Sequence, residues 1–102
     1  MGQDSSRKAR RQQAAAQRER LRPLTRSVNA LEKAMDHTQS ALTEVEALLS
    51  DSDLYSDSRK SELAETLQRQ ATLKAEAQDQ EERWLELQEE LEALQSDQAE
   101  SG

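Results

Sequence analysis

At 102 residues the chain is long enough for one small domain and too short for two. Only 33% of it is hydrophobic, Phe is absent, and Trp84 and Tyr55 are the only aromatics, so too little apolar surface exists to fill a globular core. The formal net charge of −7 is unevenly divided: residues 1–26 set Arg7, Lys8, Arg10, Arg11, Arg18, Arg20, Arg22 and Arg26 against Asp4 and Glu19, a balance of +6, and the rest carries −13.

Ala, Leu, Glu, Gln, Lys and Arg dominate, the composition of long helices that each bury a narrow stripe. Both glycines, Gly2 and Gly102, lie at the ends and the one proline is Pro23, so the turns a sheet requires are missing. Without cysteine there are no disulfides and no thiolate metal sites, which fits a cytoplasmic setting. No apolar run approaches the roughly 20 residues of a membrane span, and no signal-peptide core is present. A soluble, all-α chain is expected.

Residues 1–22 form a basic arm, partly helical, with a separate or bent helix expected at roughly 5–21. The opening Met1-Gly2-Gln3-Asp4-Ser5-Ser6 formally matches a myristoylation pattern, but so short a pattern often matches by chance. Pro23 removes a backbone donor and restricts the residue before it, so the main helix is expected to begin there and run over 23–50. Its seam recurs at alternating steps of three and four through Leu21, Leu24, Val28, Leu31, Met35, Thr38, Leu42, Val45 and Leu49. A tip at 51–58 follows, rich in Ser and Asp, which compete for backbone hydrogen bonds and favour turns.

The second helix is expected over 59–95, with Ser58 or Ser61 as its N-cap. Its seam runs through Leu63, Thr66, Gln70, Leu73, Ala77, Gln80, Trp84, Leu87, Leu91 and Leu94, weak in the middle, with Leu67 widening it near the turn. The polar stretch 96–102 is expected to be a disordered tail. A short connection between two seams requires antiparallel packing. The predicted fold is therefore a two-helix antiparallel intramolecular coiled-coil hairpin, monomeric, with a basic helical N-terminal arm. Folding about 54–56 sets Leu42 near Gln70, Met35 near Ala77 and Val28 near Trp84.

Catalysis has no visible basis. A phosphate-binding loop needs internal glycines, which are absent, and His37 is a lone histidine without a nucleophile or ligand cluster. No catalytic residue, metal site or cofactor is expected. The acidic faces, including Glu81, Glu82, Glu86, Glu89, Glu90 and Glu92, are most simply solvated surface. Trp84 belongs to the core by its seam position. Tyr55 suits a cap over the seam's end better than a partner contact. The arm remains: its eight basic residues suit phosphate contact, or else serve as a solvated linker, and composition leaves the two even. With no aromatic there, base stacking is not expected and contact would be with shape and backbone. An amphipathic membrane helix at 7–22 fits poorly, because no apolar face opposes the basic one.

Leu49-Ser50-Asp51-Ser52-Asp53-Leu54-Tyr55-Ser56-Asp57, followed by Glu82-Arg83-Trp84-Leu85-Glu86-Leu87, resembles the C-terminal coiled-coil domain of bacterial ABC-F ATPases, soluble tandem ATP-binding-cassette proteins. Leu21-Arg22-Pro23-Leu24 and Leu31-Glu32-Lys33-Ala34-Met35 are similar to the YheS- and Uup-like members. The likeness covers roughly residues 7–95; it departs at Ser52, where many members have proline. It implies a parent protein that binds and hydrolyses ATP with Mg and acts on the ribosome in translation, with this domain contacting ribosomal RNA or DNA. It also implies phosphate contacts from Arg7 to Arg26, a lesser tip contact by Tyr55, Arg59 and Lys60, and a hairpin held by Leu49, Leu54 and Trp84. The alternative is a structural module that pairs with a protein or with itself and does not bind nucleic acid.

Overall fold

The computed structural model describes the backbone of residues 2–101 and the side chains of residues 6–96. Two α-helices, α1 (Gly2–Leu49) and α2 (Lys60–Ser101), are joined by two short 3-10 turns, Ser52–Tyr55 and Asp57–Arg59. No strand occurs among the described residues. The architecture is an antiparallel helical hairpin, as the two seams require.

The chain divides into two compact units, Leu31–Arg83 and Met1–Ala30 with Trp84–Gly102. The first holds the tip. Its core is Leu42, Val45 and Leu54 with the hydroxyls of Thr38 and Thr66. Those hydroxyls are buried at little cost, because each donates back along its own helix: Thr38 to the carbonyl of Ala34 at 3.0 Å and Thr66 to that of Glu62 at 2.7 Å. The seam thins at Ala77 and Gln80, as the sequence suggests. The Gln80 Oε1 atom is buried with no partner among the described residues, an arrangement that costs about 1–3 kcal/mol.

At the tip, the last carbonyls of α1 are all accounted for, which is what ends the helix cleanly. The backbone N–H and hydroxyl of Ser50 donate to the Glu46 carbonyl at 3.0 and 2.9 Å. The Ser50 N–H also reaches Ala47, and the Asp51 N–H reaches Leu48. The Tyr55 hydroxyl donates to Leu49 at 2.7 Å. The Asp51 carboxylate accepts from the Asp53 N–H, fixing the first 3-10 turn and driving Leu54 inward until only 1% of it is exposed. Leu54 is thus the plug of the seam. Tyr55 stays 55% exposed and acts through its hydroxyl.

The second unit packs α1 through Leu21, Leu24 and the buried Val28, and α2 through Trp84, the buried Leu87, Leu91 and Leu94. The Gln17 Nε2 donates to the Leu94 carbonyl, joining residues 77 apart in sequence. Gln17 lies 11 residues before Val28 and Leu94 lies 10 after Trp84, so the bond falls within one residue of the predicted antiparallel register.

Four expectations are corrected. Helix α1 does not begin near Pro23; it runs unbroken from Gly2 with Pro23 inside it, so residues 5–21 are not a separate helix. The missing N–H of Pro23 deprives only the Glu19 carbonyl, and Pro23 itself faces solvent. Neither Ser58 nor Ser61 caps α2: the chain enters through the second 3-10 turn, where the Arg59 N–H donates to the Ser56 carbonyl, and the Ser58 hydroxyl meets that of Ser56 instead. Leu67 does not widen the seam, being 47% exposed on the helix flank. The backbone of α2 continues to Ser101, so the stretch after Gln95 is helical rather than a loose tail; Gly102 and the side chains of residues 97–102 lie outside the described residues.

Candidate nucleic-acid interface

Because α1 is continuous, each basic residue has a fixed bearing around it, advancing about 100° per residue. The half-buried positions Ala14 and Gln17 carry the seam back from Leu21 by the same steps of three and four. The next two steps fall on Arg10 and Arg7. The apolar line therefore turns basic where it runs toward the N-terminus. Sequence reading began the seam at Leu21 because Ala and Gln send no apolar signal; the spacing itself was the clue.

Six of the eight candidates, Arg7, Lys8, Arg11, Arg18, Arg22 and Arg26, fall within a sector about 100° wide on one flank of α1. Arg10 lies on the seam line beside them. Arg20 is on the other flank, since a two-residue step turns the helix about 200°. All eight are exposed.

Few ion pairs reach this stripe among the described residues. Between residues 6 and 31 of α1, where side chains are described, Glu19 is the one acidic residue, and it pairs with Arg22 at 3.2 Å. Turning a right-handed helix end over end keeps like flanks on the same side, so the flank of α2 on the side of the stripe carries Gln88 and Gln95 together with Glu81 and Glu92. Among the described residues no carboxylate lies within ion-pair distance of Arg7, Lys8, Arg11, Arg18 or Arg26. Apart from Arg22, the cations of the stripe have no ion pair among the described residues, and a local positive potential of this kind is what a polyanion responds to.

A family model described as ABC transporter C-terminal domain matches residues 6–89, which include all eight basic residues of the arm region, the tip and Trp84. The chain belongs to this family. No curated protein and no solved structure matches it.

In this ABC transporter C-terminal domain the tip cations are engaged differently from those of the arm. Arg59 Nε meets Glu62 Oε2 at 2.7 Å, and Lys60 lies 3.7 Å from Asp57. The hydrogen bond from Arg59, then its charge, holds the Glu62 carboxyl below its ordinary range, and the same bond raises Arg59. Asp51 and Asp53 stand exposed nearby. Tyr55 shares this end of the molecule, but the surrounding charge opposes a phosphate. His37 is exposed on α1, and no group of three or more His, Asp or Glu residues among those described is placed to hold a metal. No helix among the described residues is long and apolar enough to cross a membrane.

Proposed function

We propose that this domain is the non-catalytic nucleic-acid contact of a cytoplasmic ABC-F ATPase, docking electrostatically on ribosomal RNA or DNA while the hairpin sets the position of that contact. In this reading ATP and Mg belong to the parent's cassettes, the parent serves the ribosome in translation, and the domain is a monomer. The observation that carries it is the stripe of exposed cations from Arg7 to Arg26, of which only Arg22 is ion-paired among the described residues. The family match supports a C-terminal domain of an ABC protein, and the tip and Trp84 sequences resemble the ABC-F branch.

The test compares the chain with a variant in which Arg7, Lys8, Arg10 and Arg11 are all Ala, using labelled ribosomal RNA and duplex DNA at low salt. The four positions are exposed, so helical content should be unchanged while affinity falls at least tenfold. Equal binding by the variant would make the arm a linker and turn the search toward a protein partner of the hairpin.

A further inference from the structure

The tip unit, Leu31–Arg83, leaves two large apolar side chains in water at its closed end: Leu48, 49% exposed, and Tyr55. Leu48 comes one residue before the seam position Leu49, so it stands on a flank of α1 and not in the seam. Tyr55 joins the same end, because its hydroxyl is held by the Leu49 carbonyl at 2.7 Å. A ring pinned in this way is ordered before anything meets it. Carboxylates share the Leu48 flank by the same rule: Glu44 precedes the seam residue Val45, and on α2 Glu62 and Glu65 precede Leu63 and Thr66. All three are exposed, as is Asp51, three residues beyond Leu48. Residues 44–65 carry seven carboxylates against Arg59 and Lys60, a balance of −5. Both cations are already engaged, by Glu62 and Asp57, whereas Glu44, Asp51 and Glu65 have no ion pair among the described residues. The next cation on this flank, Arg69, lies about 10 Å along α2 from Glu62.

We propose that Leu48 and Tyr55 form a docking point for a basic amphipathic segment of another protein. The partner's chemistry follows from the two halves of the surface. Leu48 leaves water only against an apolar side chain, so the segment carries Leu or a residue like it. The carboxylates around Leu48 fix the sign of its charge, and a Lys or Arg can lay its stem along the Tyr55 ring with the cation over the ring face. The same carboxylates repel a phosphate polymer. A second copy of this chain suits the surface less well, because the exposed cations of its arm come with no exposed large apolar residue. The surface uses no residue of the arm and does not depend on the nucleic-acid reading.

The full chain is titrated at about 50 mM salt with a labelled peptide of Lys and Leu at helical spacing, beside Lys–Ser and Glu–Leu peptides of the same length. The Lys–Leu peptide should bind at least tenfold more tightly than either of the others. Leu48→Ser should weaken it about tenfold. Leu67→Ser should weaken it by less than about twofold: Leu67 is about as exposed, but it follows the seam residue Thr66 and so stands on the other flank. Circular dichroism checks that both variants keep the parent's helical content. Should Leu48→Ser lose it, the pair Glu44→Gln and Glu65→Gln takes its place, with an expected loss of about fivefold. Equal losses at Leu48 and Leu67, or a Lys–Ser peptide that binds as tightly as Lys–Leu, would overturn the inference, because charge alone would then govern binding. No binding of the Lys–Leu peptide would overturn it outright. A sedimentation mass that rises with concentration without peptide, and returns to that of a monomer in Leu48→Ser, would give the surface to a second copy and overturn it as well. None of these results bears on the arm.

Discussion

Replacing Pro23 with Ala should stabilise the domain by up to about 3 kcal/mol. Inside α1 the proline ring crowds the Glu19 carbonyl and supplies no N–H to it. Alanine restores that bond and removes the crowding. Pro23 faces solvent, so the change removes no packing that would offset the gain. For a domain of this size the melting temperature should rise by up to about 20 °C, read by circular dichroism. An unchanged or lower melting temperature would mean that the helix is interrupted before Pro23. That outcome would also dissolve the stripe, since Arg7, Lys8, Arg11 and Arg18 share a bearing with Arg22 and Arg26 only if no residue between them breaks the helical phase.

Leu54→Ala should cost about 2–4 kcal/mol. Leu54 is the most completely buried side chain at the tip and one of only five buried apolar residues among those described, so the thin core has little with which to fill the space. Removing it leaves a cavity between the helix ends and loosens the turn that the Asp51 carboxylate organises. Leu67→Ala is the matched comparison: nearly half exposed, it should cost less than about 1 kcal/mol in the same denaturant titration. Equal costs at the two positions would contradict the assignment of Leu54 as the plug.

The hairpin was legible because a heptad seam leaves a strong record. All nine positions read in α1 and all ten in α2 are buried or half-buried, including the polar Thr38, Thr66, Gln70 and Gln80. The antiparallel register followed from the turn's location and agrees with the bond from Gln17 to Leu94. What failed were judgements about single residues whose propensity is overruled by context. Pro23 disfavours a helix interior, yet a seam continuing on both sides of it carries the helix through. Ser58 and Ser61 look like caps, but 3-10 turns settle the entry to α2 by backbone bonds. The arrangement of the arm was hidden for a related reason. Its charge could be counted from the sequence, but aligning Arg26 with Arg7, Lys8, Arg11 and Arg18 needs helical phase across Pro23, which the expected break had denied.

The most direct test of the arm as a phosphate contact is the salt dependence of duplex binding. With Arg22 held by Glu19, five cations of the stripe remain for phosphates. At about 0.9 ions released per contact, the logarithm of the binding constant should fall against the logarithm of salt with a slope of about −4.5. That is about a 500-fold loss between 50 and 200 mM salt. A slope near zero, with binding retained, would contradict electrostatic docking through the arm.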